Sequence, residues 1–437
     1  MTSLSFCSWL VYDCTKFTRI RITSHSKLVG VQLHIMTRKR MNKFLTLVIT
    51  LFLSSFLATP ASAVAIDLGQ ANKYNAFLKN DFTTQSADTQ GRIAVGGDFN
   101  VDGNHDIGFR IDDYGMGNGP SLVVGGNVNK SGGASWNIYG NDPAASGDLV
   151  YAGQVINNGQ VITSRVDGQV EANLIKAHKN NLPVDFDSAF SHLNKLSTDL
   201  MAATVHGIGI KDDQRNGSPL VFTPTTTPGD NVYVFNVSQE EINANSSIFV
   251  EGVNSDATIV FNITNENNVA GKNNEKNYQC IDGQLNCAQL SQVAVSINGE
   301  LVSDHLNKDN LGNRLGNQVL FNFGNATNVN IAASVYGSIL APNADIKGVS
   351  GHVYGQIIGK SWESDMQINY NPFSAVGSTP PGPTPVPTPA TIWIFALAFA
   401  LLYVNRKPFI RIKRKSVAEK SEADTAGKAL DNNSVTA

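Results

Sequence analysis

A glycine-paired motif that returns along the chain limits the possible folds more than any other feature. Ile93-Ala94-Val95-Gly96-Gly97-Asp98-Phe99-Asn100 comes back as Leu122-Val123-Val124-Gly125-Gly126-Asn127-Val128-Asn129. It comes back more loosely as Leu149-Val150-Tyr151-Ala152-Gly153-Gln154-Val155-Ile156, at spacings of 27 to 29 residues. Further on, Val335-Tyr336-Gly337-Ser338-Ile339-Leu340 recurs after 18 residues as Val353-Tyr354-Gly355-Gln356-Ile357-Ile358. A third set of strand-like units covers Val234 to Ser238, Val260 to Thr264 and Leu320 to Phe323.

These periods have a physical meaning. Eighteen extended residues at ~3.3 Å each trace a perimeter of roughly 60 Å, which suits one coil of a β-helix with three short strands. Glycines at equivalent places let the chain bend, and stacked Val and Ile fill the interior. The longer periods read as coils with looped-out insertions. A β-sandwich also wants short strands and turns, but it does not predict matching sequence at coil spacing. One helix breaks the pattern. Phe186, Ala189, Phe190, Leu193, Leu196 and Leu200 share one face at helical spacing, and Asp185 is a candidate N-cap. This helix is expected to lie along the solenoid and cover an apolar side, while a short helix near Gln70 to Leu78 covers its N-terminal end. The expected fold is therefore mainly β, a β-helix or solenoid with one accompanying α-helix, plus a C-terminal transmembrane helix.

The two ends carry targeting text. From Met41, Lys43 gives positive charge, Phe44 to Leu57 is apolar, and Ala61-Ser62-Ala63 fits the small-residue cleavage pattern. Residues 41–63 therefore read as a signal peptide cut after Ala63, and 1–40 as a misassigned start with Met36 a second candidate. The domain is expected over 64–373. Residues 374–389 form a Pro/Thr-rich linker that no helix or ladder can use. Residues 390–404 are continuously apolar, and the tail 405–437 opens with Arg406, Lys407, Arg411, Lys413, Arg414 and Lys415. An apolar helix followed by basic residues stops translocation with the basic side in the cytoplasm.

That tail resembles the PEP-CTERM sorting signal of Gram-negative bacteria, through Val386-Pro387-Thr388-Pro389-Ala390, Trp393-Ile394-Phe395 and the basic cluster. Thr388 stands where the family has Glu, and about thirty residues follow the first basic pair. The resemblance implies an exosortase-type processing enzyme as partner, a cut near Pro387, Thr388 and Pro389, and an inner-membrane intermediate. The product would then move to the outer surface or matrix. A permanently retained helix is the alternative.

The domain carries a second resemblance. Leu68-Gly69-Gln70-Ala71, Tyr74-Asn75-Ala76-Phe77, Ser86-Ala87-Asp88 and Gly91-Arg92-Ile93-Ala94-Val95-Gly96-Gly97 are similar to the choice-of-anchor A family, which is regarded as adhesin-like. The Leu122-Val123-Val124-Gly125-Gly126 unit and Pro183-Val184-Asp185-Phe186 also match. The segment Gly337 to Ala344 followed by Gly355 to Ile358 resembles the last coils of ice-binding-like β-helices. These motifs imply fold and surface role more strongly than any ligand.

Catalytic chemistry is not expected. No HExxH, GxSxG or Walker pattern occurs, and the paired carboxylates Asp112-Asp113 are a weak hint of a polysaccharide-active enzyme. Asp98, Asn100 and Asp102 match the first half of a calcium loop, but Phe109 stands where the bidentate carboxylate belongs. A polar turn is the preferred reading there, with calcium the one candidate cofactor. Cys7 and Cys14 precede the signal, so Cys280 and Cys287 are expected to form a local disulfide after export. A net charge of −3 with 16% charged residues gives no global basic field for nucleic acid. The expected function is adhesion to polysaccharide, cell surface or matrix through a solenoid face, and the runner-up is ice binding. A regular outward Thr array would favour ice, and none is visible in the sequence.

Overall fold

The structure, a computed structural model, describes residues 66–375 apart from 114–117, 133–135, 143–144, 246, 265–285, 291–293 and 306–314. The expected signal peptide, apolar segment 390–404 and basic tail lie outside the described residues, as does the expected linker from 376 on; Ser374 at its start donates its amide to the Asn317 carbonyl at 2.8 Å. Among the described residues, no helix is long and apolar enough to cross a membrane.

The domain is mainly β and β-helix-like. Short strands stack in parallel from coil to coil, and each coil contributes to three faces. The 18-residue echo is one such coil: Val335–Tyr336 lies in register on His352–Tyr354, with Val335 opposite Val353. Ile339 and Leu340 then fall opposite Ile357 and Ile358. The first and second faces form one curled 17-stranded sheet.

Ten rungs build the first face. In spatial order they are Asn173–Lys176, Asp148–Tyr151, Leu122–Val124, Ile93–Val95, Ala76–Leu78, 357–359, 339–341, Val319–Asn322, Thr258–Thr264 and Val232–Ser238. This order is not the chain order. The first coil sits in the middle of the stack, between the second coil and the last. The expected helix near Gln70 to Leu78 is a 3-10 turn at Gly69–Lys73 followed by the strand Ala76–Leu78, and it caps no end.

Polar side chains close the seam between first and last coils. Buried Asn75 donates to the Gly355 carbonyl at 2.7 Å and accepts from the Gly91 amide at 3.1 Å. Buried Gln356 donates to the Tyr74 carbonyl at 2.8 Å and accepts from the Phe373 amide at 3.1 Å. The terminus of the ladder that ends at Cys287–Leu290 is capped by Gln239, whose amide group pairs with both backbone groups of Gln289 at 2.8 Å.

Helix α1, Phe186–Met201, makes the non-sequential stack possible. Asp185 caps it by accepting from the Ser188 amide at 3.1 Å, as the sequence predicts. Sixteen residues at ~1.5 Å give a length of about 24 Å, and five rung steps of ~4.8 Å give the same. The helix thus spans from the Phe77 rung to the Val234 rung and carries the chain from one end of the stack toward the other. Its apolar stripe, Ala189, Phe190, Leu193, Leu196 and Leu200, buries against Phe77, Ile358, Leu340, Leu320, Val260 and Val234. Phe77 stacks on both Phe186 and Phe190, with centroids at 5.6 and 5.4 Å. Inside the coils, aromatic rings stack along the axis, including Phe82 on Phe99 at 4.9 Å and Phe261 on Phe321 at 5.6 Å.

The Gly-Gly pairs turn the chain from the first face to the second, but not through unusual dihedrals. A Cβ on Gly126 would sit inside contact distance of the Asp98 carboxylate and 2.7 Å from the Gly97 carbonyl. Gly97 and Gly153 meet Asp81 and Asn127 in the same way. The glycines are required because successive coils approach there with no room for a side chain.

Candidate functional site: the two open faces

Helix α1 covers the first face from the Phe77 rung to the Val234 rung, and the other two faces are the ones with long registered rows of outward polar side chains. On the second face, outward positions of successive strands align in one row. In register these are Gln289, Asn330, Lys347, Glu363, Thr83, Asn100, Asn129 and Ile156. The row is held by its own side chains. Lys347 pairs with Glu363 at 2.7 Å, Asn129 donates to Asn100 at 2.7 Å, and Lys360 pairs with Asp345 beside the row at 2.8 Å. Thr83 is its one threonine. Fixed charges hold their own hydration shells and interrupt any regular hydroxyl-and-methyl pattern.

The third face runs through Val335–Tyr336, His352–Tyr354 and Gln367–Asn369, continues through single bridges at Thr89, Ile107 and Ile138, and ends at Val170–Glu171. Its inward residues are apolar apart from Thr89. Its outward row reads His352, Gln367, Asp88, Asp106, Asn137 and Glu171. Asp88 accepts from the Asp106 amide at 3.1 Å, and Asp106 accepts from both the backbone and side-chain nitrogens of Asn137 at 3.1 and 2.8 Å. Partial burial raises the Asp106 carboxyl above its ordinary range, opposed by the Asn137 hydrogen bonds. In the neighbouring row Tyr336 and Tyr354 stack face to face, with centroids 5.0 Å apart at 6°. Burial, and secondarily Tyr336, raises the Tyr354 hydroxyl. This face offers phenols, amides and carboxylates in registered rows, a surface of paired donors and acceptors.

The sequence-predicted residues fall as follows. Asp98 accepts the Asn127 amide at 2.7 Å, continuing a corner ladder in which Asp81 accepts the Asp98 amide at 2.7 Å and Asn127 accepts that of Gln154 at 3.0 Å. Asn100 is bonded to Asn129, and Asp102 accepts the Ser131 hydroxyl at 3.0 Å. Each of the three thus serves the next coil. Among the described residues, no group of three or more His, Cys, Asp or Glu gathers to hold a metal ion. Cys287 is disulfide-bonded. Cys280 lies outside the described residues, as do Ala61, Ala63, Pro387, Thr388 and Pro389. Sequence reasoning missed the third-face row, because Thr89, Ile107 and Ile138 pair through single bridges that leave no alternating pattern to read.

A family model described as an ice-binding-like adhesive domain matches residues 67–370. No curated protein matches the chain. Three solved structures are similar at low identity. The crystal structure of an ice-binding protein from the Antarctic ascomycete Antarctomyces psychrotrophicus is 11% identical, over 70% of this chain and 98% of that one, with TM-score 0.31. An ice-binding protein from an Antarctic biological consortium is 11% identical, over 72% and 92%, with TM-score 0.32. A glycosylated ice-binding protein from an Arctic yeast is 12% identical, over 72% and 98%, with TM-score 0.31.

Proposed function

The chain belongs to the family described as an ice-binding-like adhesive domain, and from that membership we propose that it is an exported adhesin that holds a hydroxyl-rich polymer, such as a surface polysaccharide, against its open faces. The observation that carries this reading is the third-face row His352, Gln367, Asp88, Asp106, Asn137 and Glu171 beside the stacked Tyr336 and Tyr354. Such a row presents both donors and acceptors at the spacing of successive strands, ~4.8 Å, and so suits a ligand that is itself a repeating array of hydroxyls.

Ice is the second reading, and the family description favours it. A broad face of parallel strands is a flat, regular template that can order water. The ion pairs on the second face and the single threonine of its outward row count against that face as the template, and the carboxylates Asp88, Asp106 and Glu171 count in the same way against the third.

Export and release belong to the same proposal. The signal peptide is removed after Ala63, an exosortase-type enzyme cuts near Pro387, Thr388 and Pro389, and the freed domain reaches the outer surface or matrix. Mass spectrometry of the mature protein is expected to find a terminus near residue 387 and no peptide from 392–404. An intact basic tail on surface protein would mean a permanent anchor.

The deciding experiment is a binding screen of the purified exported protein against insoluble polysaccharides, matrix proteins and ice, with and without calcium. Polysaccharide retention weakened by Tyr354→Ala and Gln367→Ala supports adhesion to a glycan. Ice shaping without glycan retention establishes the second reading, and glycan turnover overturns both.

A further inference from the structure

Where the first coil meets the second at the corner between first and second faces, long side chains replace the small residues of the second coil, and a cleft lies there. At the turn from first to second face, three coils carry Gly96-Gly97, Gly125-Gly126 and Ala152-Gly153. The first coil carries Lys79 and Asn80 at the matching place: the Gly96 amide donates to the Leu78 carbonyl and the Gly97 amide to the Asn80 carbonyl, both at 2.9 Å. Long polar side chains therefore border two residues that have none. The segment leading into helix α1 runs past the same spot and forms the opposite wall. A cleft of about 540 Å³ lies between them, with Gly96 and Gly97 as floor and Lys179, Asn180 and Phe186 across from Lys79 and Asn80. That volume falls within the roughly 300–1,000 Å³ of small-molecule sites.

The lining side chains are uncommitted. Several Asn and Asp residues at the neighbouring corners are tied into ladders, as Asp98 is to the Asn127 amide and Asn127 to the Gln154 amide. Among the described residues, Lys79, Asn80, Lys179, Asn180 and Asp187 make no side-chain hydrogen bond or ion pair, yet all five border the cleft. Asp81 and Asp185 also border it, but they are engaged with the Asp98 and Ser188 amides. Two lysines against three aspartates leave no surplus of positive charge for an anion. Ammonium and amide donors, amide and carboxylate acceptors, and one aromatic wall are the set that vicinal hydroxyls of a sugar ring satisfy.

We propose that this cleft binds one or two residues of an uncharged saccharide. The site is separate from the open faces and does not require them to bind anything. Calorimetric titration of the exported full-length protein with neutral gluco-, manno- and galacto-oligosaccharides, and with oligogalacturonate, tests it. At least one neutral oligosaccharide is expected to bind. Asp187→Ala and Lys179→Ala, both at exposed positions, are expected to weaken it by about tenfold or more, and Lys176→Ala, exposed on the end rung of the first face, is expected to leave it unchanged. Oligosaccharide binding without retention on insoluble polymer would sustain the cleft and sink the adhesive reading of the face. No neutral oligosaccharide bound, binding of the acidic one alone, or full binding by both cleft variants would overturn the cleft.

Discussion

Asn322 on the first face donates to the Ser197 carbonyl of helix α1 at 3.0 Å and to Oδ1 of Asn262 at 2.8 Å, while its own Oδ1 accepts the Ser197 hydroxyl at 2.5 Å. Asn262 in turn donates to the Leu200 carbonyl at 2.7 Å and to Asn236 at 3.2 Å. The recurring Asn of the third repeat set is thus a buried ladder that fastens the C-terminal half of the helix. Asn322→Leu strands Asn262 Oδ1 and the Ser197 hydroxyl without these partners in a buried interface. It is expected to cost about 2–4 kcal/mol in denaturant unfolding. Asn236→Leu, at the exposed end of the ladder, is expected to cost less than about 1 kcal/mol.

Gly126→Ala tests the corner. The added methyl meets the Asp98 carboxylate and the Gly97 carbonyl, so the coils must part locally and the Asp98–Asn127 hydrogen bond is strained. A loss of about 2–3 kcal/mol is expected. Gly159→Ala is the control for steric contact, because nothing lies within 4 Å of a Cβ there. Its φ of +78° still makes the substitution mildly strained.

His105 links the fold to pH. Its ring is buried, packs edge-on against Phe82 at 5.4 Å and Phe99 at 6.0 Å, and shares a 3.2 Å hydrogen bond with the Thr89 hydroxyl. Burial pushes it down to about 3, against an ordinary value of 6.5. The unfolded chain therefore takes up this proton first as pH falls. The stability is fully present above 6.5 and drains away between 6.5 and about 3, by up to about 1.4 kcal/mol per pH unit. Unfolding midpoints measured at several pH values across that window should fall less steeply in His105→Gln than in the wild type.

The disulfide at Cys287 is expected to join Cys280, and non-reducing peptide mapping of exported protein decides it. A bridge closing so short a loop contributes about 2–3 kcal/mol. Cys280→Ser should lower the unfolding midpoint accordingly, and two alkylatable thiols in native protein would refute the pairing.

The sequence by itself determined what is periodic. Echoes at coil spacing predicted stacked strands, and Val335 does sit on Val353. Helical spacing from Phe186 with Asp185 ahead of it predicted helix α1, its cap and its buried stripe. These were legible because each depends on residues close together in the chain or repeated along it. Only the tertiary structure decided where the first coil goes. Its neighbours, Ile357 and Ile93, are 281 and 17 residues from Ala76, and no local pattern distinguishes a strand paired on both edges from one at an end. Likewise, Gly-Gly looked like flexibility for a turn, whereas the reason for it is the atom of another coil lying against each Cα. The repeat fixed which residues could stack; the helix that carries the chain back along the stack determined which coils meet.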